Sequence, residues 1–93
     1  MEGNLEWKNL GIFIRNTRNA KGISAYSIEQ NYGFSRNFWS RIENGTHKSA
    51  MKPDLLKKIA SILDINYIDL YLIVGYIDKE SLDKYFEKSL KKE

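Results

Sequence analysis

Residues 24–45 read SAYSIEQNYGFSRNFWSRIENG, and the interpretation of the whole chain turns on them. Ser24 suits a helix N-cap, because its hydroxyl can accept from a backbone N–H that the first turn leaves unpaired. The helix it opens is short and ends near Tyr32. Gly33 breaks it, Ser35 caps the next helix, and Gly45 stops that one after Asn44. On a wheel of about 100° per residue with Arg36 at zero, Ser40, Asn44, Asn37 and Arg41 fall between roughly 40° and 140°. Phe38, Ile42, Ser35 and Trp39 fall between roughly 200° and 300° on the same wheel. One face is therefore apolar or capping, and the other carries two Arg and two Asn. Such side chains suit base edges: Arg can bond both acceptors of guanine, and Asn can bond adenine bidentately. A solvated helix face would look the same, because the wheel does not distinguish water from a major groove.

Outward from this segment the pattern stays helical. Trp7, Leu10, Phe13/Ile14 and Thr17 form an apolar stripe that ends at Lys21-Gly22. Residues 46–52, THKSAMK, form a polar loop. Pro53 fits the first turn of a fourth helix, where its missing N–H is unneeded. Leu55/Leu56, Ile59/Ala60 and Leu63 would be that helix's buried face. Asn66 can cap a fifth helix from Tyr67 to Val74, closed by Gly75. Asp78 can cap a sixth from Lys79 to about Lys91, with Leu82, Tyr85/Phe86 and Leu90 on one face. Alternation of period two is nearly absent, so the expected fold class is all-α.

Composition narrows the function classes. The chain has 93 residues, with 42% apolar and 29% charged, which is ordinary for a folded domain. It holds no Cys and one His, which excludes thiolate metal sites, thiol nucleophiles and the usual multi-histidine centres. No phosphate-cradling Gly-rich motif occurs, and the serines lie in no triad-like pattern. No catalytic residue, metal or cofactor is expected, and no enzyme activity. The uncharged run Leu70 to Ile77 is far shorter than the ~20 residues of a membrane span. A cytoplasmic protein with no membrane partner is expected. Residues 1–52 hold eight Lys/Arg and four Asp/Glu, a charge of +4. Residues 53–93 hold seven and eight, a charge of −1, which together give the overall +3. A basic front half suits a polyanion-facing surface.

With the helix–tight turn–helix spacing in view, the sequence resembles the lambda-repressor-like, or Cro/XRE-type, helix-turn-helix family, from about Leu10 to Val74. The resemblance is carried by IRNTR in the first helix, KGIS before the second, and Ile28, Tyr32, Gly33 and Phe34 at apolar and turn positions. FSRNFWSRIENG matches the recognition helix and its exit, and LLKKIASILDI the fourth helix. The resemblance implies a compact five-helix domain over residues 1–75, with residues 76–93 as an additional C-terminal helix and possible dimerisation element. It implies double-stranded DNA as partner, with Arg36, Asn37, Ser40 and Arg41 facing bases. Ser24, Tyr26, Asn44, His47, Lys48 and Lys52 would lie along the DNA backbone. It also implies a structural ion pair between Arg18 and Glu43.

Three positions depart from the family pattern. Ala25 stands where DNA-binding members often carry a Gln that contacts a phosphate. Glu29 stands where a small Ala allows close helix crossing, so its carboxylate must point outward or find a basic partner. The loop from Gly45 to Leu56 is about two residues longer than usual. His47 has no ligand partners and is expected as a surface loop residue. Trp7 and Trp39 are expected in the core.

The expected function is a sequence-specific transcriptional regulator, a repressor, reading two half-sites about 34 Å apart as a homodimer. The alternatives are a protein-interaction module that kept the fold without DNA binding, as an adaptor or antirepressor, and an antitoxin that binds a toxin and its own operator. With no effector or self-cleaving peptidase segment in the sequence, regulation is expected from a partner protein, self-association or concentration. The sixth helix either packs on its own core or forms the dimer seam.

Overall fold

The computed structural model describes residues 5–47 and 52–91, the side chains of 89–91 excepted. The chain forms six helices and, among the described residues, no strand. They are α1 Leu5–Ala20, α2 Ala25–Tyr32, α3 Arg36–Glu43, α4 Pro53–Leu63, α5 Tyr67–Val74 and α6 Lys79–Lys91. The caps explain these boundaries. Ser24, Ser35 and Asn66 each sit in extended backbone and accept a hydrogen bond from an N–H of the first turn. Asp78 does the same for Ser81 N–H at 2.7 Å. Pro53 opens α4 at its first turn. At the far end of α4, Asp64 takes a left-handed conformation and its carbonyl accepts from Lys21 Nζ at 2.8 Å. The third helix stops one residue earlier than its sequence pattern suggests, and Asn44 is its C-cap.

Leu10 and Ile14 of α1, Ile28 of α2, and Trp39 and Ile42 of α3 meet Leu56, Ile59, Leu63, Leu70 and Val74 of α4 and α5. The main packing pairs are α1 with α3, α1 with α5, α2 with α3, and α4 with α5. α1 is thus the strut that holds α3 against the rest. Trp39 lies in the core as expected. Trp7 does not: it is half-buried on the first turns of α1, outside the core cluster, because the core begins a turn later at Leu10.

α6 is not among the main packing pairs. Tyr85 and Phe86 remain 63% and 52% exposed, and Leu82 is half-buried. The side chain of Leu90, expected on the same face, lies outside the described residues. The Cα radius of gyration is 14.8 Å, above the ~12 Å usual for a compact chain of this length. Among the described residues no helix is long and apolar enough to cross a membrane.

Candidate nucleic-acid interface

The turn between α2 and α3 is built from Gly33 and Ser35. Gly33 has φ 79° and donates its N–H to Glu29 O at 3.1 Å, a left-handed conformation that a Cβ would strain. Ser35 then caps α3, its Oγ accepting from Phe38 N–H at 3.1 Å. An eight-residue helix does not hold itself in water, so packing must fix α3. Trp39 and Ile42 are fully buried beneath it. Phe34 stacks on Phe38 at 5.2 Å and tilts against Trp39 at 6.1 Å, which wedges the turn onto the core.

Glu43 fixes the angle of the helix. It is only 6% exposed, and its carboxylate accepts four hydrogen bonds. Trp39 Nε1 donates at 2.6 Å, Arg18 Nε at 2.5 Å and Arg18 Nη2 at 3.1 Å, and Arg15 Nε donates at 3.4 Å. Arg18 also donates Nη1 to Ile23 O at 3.0 Å, which ties the end of α1 to the start of α2. Burial works against ionisation of Glu43. The hydrogen bonds from Arg18, Trp39 and Arg15 outweigh it and hold the carboxyl below its ordinary range. The same bond to Glu43 raises the Arg18 guanidinium, against the effect of its own burial.

Two glycines let α1 approach this close. A Cβ on Gly11 would lie 2.3 Å from Glu43 O and 2.8 Å from Ile42 O. At Gly45, with φ 75°, a Cβ would lie 2.9 Å from Lys8 Cα. Backbone atoms cannot swing aside as side chains can, so both sites admit only glycine at this helix separation.

On the outer side, Arg36, Asn37, Ser40 and Arg41 are all exposed and share one face of α3. Arg36 is not loose: its Nε donates to Glu29 Oε1 at 3.2 Å, and its guanidinium lies 5.9 Å from the Tyr26 ring centroid. Glu29 has therefore found a basic partner and does not disturb the α2–α3 crossing. Ser40 Oγ accepts from Asn44 Nδ2 at 3.4 Å, and Asn44 Oδ1 accepts from Arg15 Nη2 at 2.7 Å. Asn44 is thus a link between the outer face and α1.

Of the other positions expected along a backbone, Tyr26 and Lys52 are exposed. The Ser24 hydroxyl already accepts from Ser27 N–H at 3.0 Å as the cap of α2. His47 is not a free surface residue. It is half-buried, its ring meets Phe38 edge-on at 4.5 Å, and its Nδ1 is buried with no hydrogen-bond partner among the described residues. The imidazole thus packs against a Phe38 ring that is itself partly buried on the core. Lys48 lies outside the described residues. Sequence reasoning missed Arg15 and Gly11, and it read Gly45 as a helix stop without its close approach to α1. Gly11 left a signal: a glycine inside an amphipathic helix costs about 1 kcal/mol of propensity and implies a close approach.

A family model described as Cro/C1-type HTH DNA-binding domain matches residues 14–74, about two-thirds of the chain. No curated protein and no solved structure matches the chain. The matched span runs from the middle of α1 to the end of α5 and contains the turn, α3 and the Arg18–Glu43 contact. The chain belongs to the Cro/C1-type helix-turn-helix DNA-binding domain family.

Proposed function

We propose that the protein is a sequence-specific transcriptional regulator, a repressor that occupies its operator with α3 in the major groove of double-stranded DNA. One observation carries this reading: four exposed polar side chains, Arg36, Asn37, Ser40 and Arg41, line one side of a helix whose opposite side is buried and locked at a fixed angle. Arg36 and Arg41 would take guanine, Asn37 adenine, and Ser40 the margin of the site. Tyr26 and Lys52, with Lys48 four residues earlier in the sequence, would meet phosphates. Phosphate contacts set register and affinity, whereas the α3 side chains set sequence. The exposed Tyr85 and Phe86 of α6 support a homodimer paired through that helix, which would place two copies of α3 on successive turns of one duplex face.

The test is binding of the full chain to duplex fragments from around its own gene, over a series of salt concentrations. One fragment should bind tightly and lose affinity steeply with salt. In Arg41→Ala the unfolding temperature should stay within about 2 °C, because the side chain is exposed, while binding to that fragment weakens by ~1–3 kcal/mol. Equal, weak binding to every fragment would refute sequence-specific reading.

A further inference from the structure

Arg36 is the first residue of the recognition helix and the only one of the four reading candidates with a carboxylate against it among the described residues. Glu29 Oε1 takes the Nε–H at 3.2 Å, and the ring of Tyr26 lies 5.9 Å from the guanidinium carbon. An Arg side chain carries five N–H donors in a planar fork. With Nε engaged by Glu29, the four N–H groups of Nη1 and Nη2 remain for a ligand. They form the end-on pair whose spacing matches O6 and N7 of guanine. The Tyr26 ring lies within cation–π range of the same guanidinium.

We propose that Glu29 is a positioning residue for DNA reading: with Tyr26 it holds Arg36 in an end-on presentation before DNA arrives and commits it to guanine. This deepens the function proposed above and rests on α3 lying in the groove. The physical reason is preorganisation. A long exposed Arg ordinarily surrenders rotamer freedom on docking, and it can swing to a phosphate instead of a base. The carboxylate removes part of that loss and keeps the guanidinium from the phosphates, where it would add affinity with no sequence information. A small residue at this position would leave Arg36 unheld. The large acidic residue here therefore has a role at the interface, and the intact α2–α3 packing shows that the fold accommodates it.

Glu29→Gln tests this, because it keeps the shape of the side chain and removes the charge. Duplexes are selected from a random-sequence pool with the full chain. Binding is then measured for the selected duplex and for copies with each guanine replaced by adenine, at several salt concentrations, for both proteins. At one guanine, and only there, the preference should fall at least roughly fivefold in the variant, the low end of what a bidentate contact discriminates. Binding to unrelated duplex should rise, with a salt slope steeper by about one, as the released Arg36 moves to a phosphate. Independently of DNA, the Arg36 Nε–H resonance of the free chain, assigned by its absence in Arg36→Lys, should shift in Glu29→Gln. An unshifted resonance overturns the contact itself. A shifted resonance with unchanged guanine preference and salt slope overturns the positioning role. A chain that selects no sequence while the resonance shifts overturns the DNA-reading assignment and, with it, this role.

Discussion

Replacing Glu43 by alanine is expected to destabilise the protein by about 3–4 kcal/mol. Two losses contribute. The indole N–H of fully buried Trp39 loses the acceptor that stands 2.6 Å away, and an orphaned buried donor costs ~1–3 kcal/mol. Arg18, whose side chain is 16% exposed, loses two of its three hydrogen bonds and keeps only that to Ile23 O. Breaking a fully buried pair costs ~3–5 kcal/mol, and the residual water access of Arg18 brings its share below that. Arg15 is half-exposed and rehydrates at little cost. For a domain of this size each kcal/mol moves the melting temperature by roughly 4–8 °C, so a drop of roughly 12–30 °C follows. The assay is thermal and urea unfolding followed by far-ultraviolet circular dichroism on Glu43→Ala, Arg18→Met and the double variant. Removing the stranded guanidinium should recover part of the loss, with a coupling of about 1–2 kcal/mol. A loss under about 1 kcal/mol, or strictly additive losses, would refute the assignment of Glu43 as the residue that fixes α3.

Three further outcomes are expected. The folded carboxyl of Glu43 lies below its unfolded value of about 4.3, so its contribution is fully present above that pH and fades as pH falls through the folded value. The stability gap between the native chain and Glu43→Gln should therefore narrow as pH falls below about 4.3, and a gap that stays constant on acidification would contradict it. Gly11→Ala should lose at least the ~1–3 kcal/mol of an overpacked core, despite alanine's helix propensity, because its Cβ would meet Glu43 and Ile42 backbone atoms under 3 Å away; unfolding in urea that matches the native chain would show that α1 and α3 can part freely. Truncation after Gly75 should still leave a folded domain, since every buried core residue among the described residues lies between Leu10 and Val74, while sedimentation shifts from dimer to monomer and the melting temperature loses its dependence on concentration; a full-length chain that stays monomeric at high micromolar concentration would remove α6 as a seam.

The helices were legible in the sequence because their punctuation is local. Ser24, Ser35, Asn66 and Asp78 cap, Pro53 opens, and Gly33, Gly45 and Gly75 close, each by chemistry confined to one turn. The polar face of α3 was legible for the same reason, since a wheel needs only one helix. What escaped depends on two elements at once. Arg15 reaches Glu43 and Asn44 from a helix 28 and 29 residues away, and nothing in its own neighbourhood marks it apart from Arg18. Gly11 declared an approach but not its partner. Glu29 declared the need for a basic neighbour, and Arg36 seven residues on was the nearest supply, yet choosing it required the crossing angle. His47 was misplaced because a loop sequence does not announce that an aromatic rim, here Phe38, waits beneath it.

On the proposed function, the arrangement separates reading from alignment within a single eight-residue helix. Trp39, Ile42 and Glu43 point inward and set where α3 lies, while Arg36, Asn37 and Arg41 point outward and touch nothing the core depends on. The inner set can be changed only at a cost in stability, because each member fills a buried volume or satisfies a buried donor. On the proposed function, Asn37 and Arg41 can change with little effect on the core, so a new operator preference would be accessible through surface substitutions, whereas a change at Arg36 also removes the partner of Glu29. Asn44 belongs to neither group. Its amide bridges Arg15 behind the helix and Ser40 in front, and Arg15 in turn touches Glu43. A substitution there would act on both sides: Asn44→Ala frees Ser40 on the reading face and loosens Arg15 at its last anchor beyond Glu43. Its effect on binding should therefore exceed that of an isolated rim contact, even though the side chain is exposed and the core beneath it stays filled.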